Sequence, residues 1–308
     1  MPEIMTPVFN LGSINIDHVY RVGHFVRPGE TLASHSYERG AGGKGFNQSV
    51  ALCRAGARVF HIGACGPDGE WLREFLTKEG ADITWLKETE NPTGHAIIQV
   101  SDTGENAILL HGGANRSIGR DAVLLALGDA PQGAWFLTQN ETDSVPESFR
   151  LARELGLTVC FNAAPMDEAV LRYPLEMVDW LIVNETEGAA IAGNDQPGAI
   201  AEVVAARYPG MGLVLTLGGQ GVLCRKSGQT IRLPAPEVRV VDSTAAGDTF
   251  TGYFVAAMAA GQDLESALIL ATKAAAITVT RPGAANSIPL AGELDSEVRN
   301  PQKRSAQP

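Results

Sequence analysis

One carboxylate in this chain lies where it could act as a base beside a bound anion. Asp248 follows three small residues in the stretch VDSTAAGDTF, residues 241–250, and the spacing of the apolar residues after it predicts a helix that begins at about Ala245. The N–H groups at a helix N-terminus are unpaired, and small side chains let an anion approach them. The stretch therefore predicts an anion hole with a base beside it. A plain helix cap formed by Ser243, Thr244 and Asp248 explains the same residues.

A second group of polar residues lies in the glycine-rich stretch GAGGKGFNQ, residues 40–48. Dinucleotide-binding loops have similar glycines, but they follow a buried strand, whereas SHSYER is polar here, and Lys44 lacks the following Ser or Thr of a Walker A loop. The stretch is either a glycine turn that enters a helix or a loop that hydrogen-bonds a polyhydroxyl ligand with Lys44 and Asn47. We favour the ligand site because polar groups converge here.

Further polar residues lie at the ends of predicted strands. Asn15 and Asp17 are two apart in a strand, so their side chains face the same way. Glu141 ends the strand AWFLTQNE, and Asn184 and Glu187 end DWLIVNETE. Each alone is explained as a helix cap. Because ligands of parallel sheets bind beyond the carboxyl ends of the strands, the set together indicates a site.

The elements that carry these residues predict an α/β fold. Strands and helices alternate after residue 59, which predicts a mostly parallel sheet with helices on both faces. Strands are also predicted over residues 8–22 and 237–241. Residues 94–113 break the alternation and predict a β-hairpin around an Asp-Thr-Gly turn.

That hairpin and the extended segments within 15–39 are expected to form a small second sheet, which could serve as a lid or an oligomer surface. We predict one domain over residues 1–296 and a disordered tail over 297–308.

The composition limits the possible partners. The 308-residue chain has a net charge of −11, which argues against nucleic acid as a partner because phosphate backbones bind basic surfaces. No apolar run could span a bilayer, and the N-terminus lacks the features of a signal peptide, so a cytoplasmic protein without membrane contact is expected. The four cysteines are scattered and are expected to be buried, without disulfides or bound metal.

With these residues assembled, the chain resembles the PfkB family of sugar kinases, and the ribokinases within it, over nearly its whole length. AGGKGFNQSVALCRAGA is similar to the family's N-terminal signature, and DSTAAGDTFTGYF is similar to the C-terminal signature that holds the catalytic aspartate. Shorter segments follow the family's order: LGSINIDH, PGET, TGHAI, GENAI, GGAN, VNETE, TLGGQG and VTRPGAANSIP.

The resemblance implies a three-layer α/β/α domain with a mostly parallel central sheet and a small β lid. It also implies an ATP-dependent kinase that phosphorylates the primary hydroxyl of a pentose, in the first place ribose. Asp248 would take the proton of that hydroxyl, and the N–H groups of Ala245, Ala246 and Gly247 would stabilise the transferring phosphoryl group. The residues that would hold the sugar are Asn15, Asp17, Gly43, Lys44, Asn47 and Glu141.

The cofactors implied by the resemblance are ATP, Mg²⁺ and a monovalent cation such as K⁺. Asn184 and Glu187 would lie near the phosphates and Mg²⁺. Thr216, Gly218, Gly221 and Thr272 would lie near the nucleotide. The positions that match the monovalent cation site are Asp242, Thr244, Thr278, Arg281, Gly283 and Ser287, several of them through backbone oxygens. A homodimer formed through the lid is implied as well.

Four positions depart from the ribokinase pattern and leave the substrate open. Phe46 replaces a small residue, Asn140 an apolar one, Thr251 an Asn, and Thr272 the His or Asn near adenine. We expect Phe46 and the hairpin 94–113 to fill the space that the base of adenosine would need. The alternatives are a kinase for 2-deoxyribose, a fructose-type sugar or adenosine, a non-catalytic sugar-binding protein, and a nicotinamide enzyme.

Overall fold

The computed structural model describes residues 6–294, so the tail predicted over 297–308 lies outside the described residues. The strands are β1 (Val8–Leu11), β2 (Asn15–Val22), β3 (Ser36–Gly42), β4 (Val59–Cys65), β5 (Leu86–Glu88), β6 (Gly94–Ser101), β7 (Asn106–His111), β8 (Trp135–Gln139), β9 (Thr158–Asn162), β10 (Trp180–Asn184), β11 (Gly212–Thr216), β12 (Val222–Lys226) and β13 (Gln229–Leu233). The helices are α1 (Lys44–Arg54), α2 (Glu70–Glu79), α3 (Arg120–Gly128), α4 (Val145–Glu154), α5 (Glu185–Ala192), α6 (Pro197–Arg207), α7 (Ala246–Ala259) and α8 (Leu264–Thr278).

The central sheet confirms the predicted α/β class. Its nine strands have the order β13-β12-β11-β10-β9-β8-β1-β4-β5, and only the β11–β12 and β12–β13 pairs are antiparallel. Alternate residues of a strand enter two cores: Trp135 belongs to the core that includes residues of α1, α2, α7 and α8, whereas Phe136 belongs to the core that includes residues of α3 to α6. The sheet is therefore the middle of three layers.

A second sheet forms the predicted lid, with the strand order β3-β2-β6-β7. The predicted hairpin is present as β6 and β7, and β2 pairs in parallel with β6 and antiparallel with β3. Since Asn15 and Asp17 lie at alternate positions on β2, they share the same face of this sheet.

Two strand predictions are wrong in detail. The run 8–22 forms two strands in different sheets, because β1 ends before Gly12. There the backbones of Gly12 and Gly45 are so close that a Cβ on Gly45 would lie 2.2 Å from the Cα of Gly12. The run 237–241 is an exposed loop. It has the β-branched residues of a strand, but none of its residues pairs with a strand of either sheet in the described part of the chain.

The glycine-rich stretch is divided differently from the prediction. Gly40 and Gly42 belong to strand β3, and Gly43, at φ 90°, makes the turn after which α1 begins at Lys44. Helix α2 begins at Glu70, after a short 3₁₀ turn over Pro67–Gly69. In residues 6–294 no helix is long and apolar enough to cross a membrane.

Candidate active site

The N-terminus of α7 has the geometry of an anion-binding site. Ala245 precedes the helix with φ 62°, a left-handed conformation that a non-glycine residue rarely adopts, and no side chain caps the helix. Within the described residues, the backbone N–H groups of Gly247 and Asp248 donate to no protein acceptor. These N–H groups are therefore available to an anion.

Asp248 is held by two neighbouring amides of α1. Its Oδ2 accepts a hydrogen bond from Asn47 Nδ2 at 3.0 Å, and its Oδ1 accepts one from Gln48 Nε2 at 2.9 Å. The two helices pack closely because Gly252 of α7 faces Ala51 of α1, where an added Cβ would lie 2.4 Å from that of Ala51. This close packing brings the amides to the carboxylate.

A polar cavity of about 230 Å³ opens in front of the α7 N-terminus. Lys44, Asn184, Glu187 and Asp248 are among its lining residues. The nearby carboxylate of Asp248, followed by Glu141 and Glu187, raises the pKa of Lys44 despite its burial, so the ammonium group stays charged. A lysine ammonium beside free helix N–H groups is a suitable environment for phosphates.

Asn184 and Glu187 begin α5 as a capping box. The Asn184 side chain accepts from the Glu187 N–H, and Glu187 Oε2 accepts from the Asn184 N–H, both at 2.9 Å. Desolvation raises the pKa of Glu187. Asn184 and Glu187 therefore cap α5, as the helix-cap interpretation predicts, and they also line the polar cavity.

A second cavity, of about 380 Å³, continues from the first and shares Thr216, Ser243, Ala246 and Gly247 with it. Thr216, Gly218, Gly221 and Thr272, which the sequence placed near the nucleotide, all line it. The exposed loop 237–241 contributes Glu237, Val238 and Val240 to its wall. The lining is mostly small and apolar and would suit a flat base.

The remaining polar residues gather on the lid side of Asp248. Burial, followed by the nearby charges of Glu141 and Asp248, raises the pKa of Asp17 to about 7. Gly42 lies against this carboxylate, so that an added Cβ would be 2.1 Å from Asp17 Oδ2. Glu141 Oε2 accepts hydrogen bonds from the Ser13 hydroxyl and the Lys44 N–H. The arrangement offers several hydrogen-bond acceptors to a ligand with hydroxyl groups.

Comparisons with known proteins agree with this geometry. Residues 5–291 match the model of the pfkB family carbohydrate kinases. The chain belongs to this family. It is 36% identical to the ribokinase of Haemophilus influenzae over 288 residues, which cover 91% of this chain and 94% of that protein, and 34% identical to the ribokinase of Staphylococcus aureus over 300 residues, covering 92% and 97%.

Solved structures of family members have the same fold. A ribokinase from Cryptococcus neoformans in complex with ADP superposes with a TM-score of 0.84 at 34% identity, covering 94% of this chain and 99% of that one. The ribokinase of Arabidopsis thaliana complexed with ribose and ATP gives a TM-score of 0.84 at 27% identity, covering 95% and 98%. This PfkB family member is accordingly an ATP-binding phosphotransferase that acts on an alcohol group.

The positions expected at a monovalent cation site of this kinase only partly converge. Asp242 Oδ1 accepts from the N–H and hydroxyl of Thr244, and Oδ2 accepts from the Gly283 N–H, so one carboxylate joins the two loops. Hydrogen bonds to Thr244 and Gly283 lower the pKa of Asp242 in spite of its desolvation. The side chains of the other positions have different partners: Thr278 bonds Thr249, Arg281 bonds Glu293, and Ser287 bonds the Ala284 carbonyl.

Two of the departures from the family pattern, Phe46 and Asn140, line neither cavity. Phe46 is completely buried in the core, 5.4 Å from the ring of Phe75, so the expectation that it fills space for a nucleoside base is wrong. A residue at this point of α1 faces the core because Asn47 and Gln48 already face Asp248. Asn140 bonds the Pro165 carbonyl and the Tyr173 hydroxyl.

The other two departures lie in the cleft with their hydroxyl groups already engaged. Thr251 lines the polar cavity and donates to the Gly247 carbonyl. Thr272 lines the apolar cavity and donates to the Leu268 carbonyl.

Sequence reasoning missed several polar residues that support the site. Gln48 contacts Asp248 directly, Asn162 bonds Gln48, and Asn115 bonds Asn15 at 2.8 Å. A usable signal was present for Asn162, since it ends strand β9 between the strands that end near Glu141 and Asn184. Gln48 had no such signal, because its partners lie more than 90 residues away in the chain.

Proposed function

We propose that this enzyme transfers the γ-phosphoryl group of ATP to the primary 5-hydroxyl of D-ribose. The observation that supports this most is the place of Asp248, whose carboxylate lies between free helix N–H groups and a cluster of hydrogen-bond acceptors, next to an apolar cavity of about 380 Å³. The Arabidopsis ribokinase that resembles this chain was solved with ribose and ATP bound.

In the proposed reaction Asp248 takes the proton of the 5-hydroxyl while the oxygen of that hydroxyl bonds to the γ-phosphorus. The bond between that phosphorus and the β–γ bridging oxygen breaks, and ADP leaves. The backbone of Ala245, Ala246 and Gly247 and the ammonium group of Lys44 stabilise the charge on the transferring group. Lys44 thereby serves the phosphate side as well as the sugar side, for which the sequence had proposed it.

Two metal ions complete the proposal. Glu187, a carboxylate that lines the phosphate cavity, and Asn184 beside it would hold Mg²⁺, partly through water, and the ion would neutralise phosphate charge. K⁺ would bind between the loops that Asp242 joins, with Thr244, Thr278, Arg281, Gly283 and Ser287 as the surrounding positions. Fixing these loops would fix the start of α7, since Thr278 also bonds Thr249 of that helix.

We assign sugar recognition to Asn15, Asp17, Gly43, Lys44, Asn47 and Glu141. Two observations support this: Asn47 Oδ1 is buried without a hydrogen-bond partner among the described residues, and burial, followed by the charges of Glu141 and Asp248, raises the pKa of Asp17 to about 7. Hydroxyl groups of a sugar would satisfy both.

Replacement of the proposed base tests the mechanism. Asp248→Asn conserves the size of the side chain but cannot accept the proton, so kcat should fall by at least ~100-fold while sugar and ATP binding persist. A variant that keeps more than about a tenth of the wild-type kcat, as measured by ADP release, would show that Asp248 is not the base.

A panel of acceptors tests the sugar. If Asn15 and Asp17 bind hydroxyls of ribose, loss of one such hydroxyl strands its partner, so kcat/KM for 2-deoxyribose should be about 10- to 100-fold lower than for ribose. The panel includes fructose and adenosine. A deoxyribokinase of Salmonella typhi is also 28% identical to this chain, and a preference for 2-deoxyribose would replace the proposed substrate without changing the reaction.

We also propose a homodimer that forms through the lid. Leu109 at the edge of the lid is 68% exposed, and Ile108 beside it 59%, an apolar surface that a second lid would cover. A monomeric mass in solution at micromolar concentration would contradict this. A cytoplasmic location is supported by the four unbridged cysteines, of which Cys65, Cys160 and Cys224 are buried.

A further inference from the structure

Two consecutive residues of α1 bind the two oxygens of the Asp248 carboxylate, but they differ in their surroundings. Gln48, which bonds Oδ1, is completely buried, whereas Asn47, which bonds Oδ2, keeps 5% of its surface exposed and has an unpaired buried Oδ1. Thus Oδ1 of Asp248 faces the protein interior, and Oδ2 faces the side where a ligand can bind.

The direction of the Gln48 amide is determined by its other partners. Gln139 Nε2 donates to Gln48 Oε1 at 2.8 Å, which identifies this end of the Gln48 amide as its carbonyl oxygen. The NH₂ end of Gln48 then has two protons, one for Asp248 Oδ1 and one for Asn162 Oδ1 at 3.1 Å. Both ends of this amide are therefore engaged, and it cannot turn away from the carboxylate without breaking three hydrogen bonds.

The hydrogen bonds continue away from the cleft as a buried chain. Gln139 Nε2 also donates to Asn10 Oδ1 at 2.9 Å, and Asn10 Nδ2 donates to the Ser49 hydroxyl at 2.8 Å. The Ser49 hydroxyl in turn bonds His61 Nδ1. Gln139 Oε1 and His61 Nε2 are buried without a hydrogen-bond partner among the described residues, but the other named atoms of the chain are paired, and these pairs hold the Gln48 amide in place.

We propose that Gln48 is a positioning residue for phosphoryl transfer, which fixes Oδ1 of Asp248 so that Oδ2 is the oxygen that takes the proton. This inference rests on the proposed role of Asp248 as the base. A general base must meet the hydroxyl within hydrogen-bonding distance and in the right direction. Asn47 donates to Oδ2, which can still accept a second hydrogen bond, while the bond from Gln48 to Oδ1 keeps the carboxylate in that direction between turnovers. Gln48 does not touch the substrates and acts only through Asp248.

The chain offers a matched control for this role. Asn10 and Gln48 are both completely buried amides, each makes three side-chain hydrogen bonds, and each accepts one of them from Gln139. Of these two residues, only Gln48 bonds Asp248. Gln48→Met and Asn10→Leu therefore remove comparable buried amides and should lower the thermal stability similarly.

Their kinetics should differ. For Gln48→Met we expect a kcat about 10- to 100-fold below that of Asn10→Leu, with KM for the best acceptor sugar and for ATP changed less than about threefold, because orientation of the base is lost while binding persists. The acidic limb of the kcat–pH profile should move about one pH unit upward in Gln48→Met only, since a carboxylate that loses a donor is protonated more easily. Equal kcat values for the two variants, or an unmoved acidic limb, would overturn the proposal.

Gln48→Glu conserves the volume and decides the question if Gln48→Met does not fold. At pH 8 the new carboxylate has no proton to donate and repels Asp248, so kcat should be more than ~100-fold below wild type. As the pH falls, the new carboxyl regains a proton for Asp248, and the ratio of variant to wild-type kcat should rise. A ratio that does not change between pH 6 and 8 would refute the positioning role.

Asp248→Asn, measured in parallel, separates the two hypotheses. If this variant keeps its rate, Asp248 is not the base and the proposed mechanism is wrong. If it is inactive while Gln48→Met behaves like Asn10→Leu, the mechanism stands and only the role of Gln48 is wrong.

Discussion

The two ends of the cleft, which we assign to the sugar and to the nucleotide, are built in different ways. At the sugar end, hydrogen bonds hold side chains of α1, α7 and the loop after β8: Asn47 and Gln48 bond Asp248, and Glu141 accepts from the Ser13 hydroxyl and the Lys44 backbone N–H. At the nucleotide end, the apolar cavity is lined by small and apolar residues and the exposed loop 237–241. The sugar end is therefore preorganised by side-chain contacts, whereas the nucleotide end offers shape and backbone groups.

This difference indicates where selectivity arises. A site built from buried hydrogen-bonding groups rejects ligands that leave those groups unpaired, whereas an apolar site discriminates weakly between ligands of similar shape. We expect substitutions at the sugar end to change the specificity and rate of the enzyme, and conservative substitutions at the nucleotide end to have small effects.

Among the variants that compare the two ends, the largest effect is expected for Gly42→Ala at the sugar end. A Cβ at Gly42 would lie 2.1 Å from Asp17 Oδ2 and would displace that carboxylate, so kcat/KM for ribose should fall about 100-fold while KM for ATP stays within about threefold. Gly40→Ala is the matched control, because a Cβ at Gly40 of the same strand meets no atom within 4 Å. Similar kinetics for the two variants would mean that the position of Asp17 is unimportant.

A smaller effect is expected for removal of K⁺ from the loops next to the N-terminus of α7. In a buffer that contains only bulky organic cations, added K⁺ should raise the rate about tenfold, because an ion between the loops at Asp242 would fix the start of α7. Asp242→Ala should be as slow as the potassium-free wild type and should not respond to K⁺. Equal wild-type rates with and without K⁺ would exclude the cation site.

The sugar end should also have a pH signature in the absence of ligands. The pKa of Asp17 is raised from 3.8 to about 7, so between these values the folded protein binds a proton that the unfolded chain releases, and stability from this group is lost as the pH rises through that window. The Asp17→Asn variant does not lose this stability, because asparagine does not titrate in this range. Its Tm relative to wild type should therefore rise by about 3 °C between pH 5 and pH 8. Parallel Tm–pH curves for Asp17→Asn and the wild type would show that the pKa of Asp17 is not raised in the folded protein.

The smallest effect is expected for Thr272→Ala at the nucleotide end. The Thr272 hydroxyl already donates to the Leu268 carbonyl, so its removal should change KM for ATP by less than about threefold. A tenfold increase would mean that this side chain recognises the nucleotide, and the contrast between the two ends would not hold.

Much of the fold followed from local patterns in the sequence. The alternation of strands and helices predicted the layered sheet, the spacing after Asp248 predicted α7, and the Asp-Thr-Gly turn predicted the lid hairpin. These features depend on side-chain period and backbone conformation, which neighbouring residues determine. The run 237–241 was mistaken for a strand because β-branched residues favour extended backbone, and only the tertiary structure shows that no strand lies beside it.

The sequence by itself determined which chemical groups the site contains: a carboxylate after three small residues, a lysine after glycines, and polar residues at strand ends. Only the tertiary structure decided how these groups are held. Gln48 and Asp248 are 200 positions apart, and their contact depends on the close packing of α1 and α7 at Gly252. Such contacts are set by which elements the topology brings together, and neither residue carries that information in its local neighbourhood.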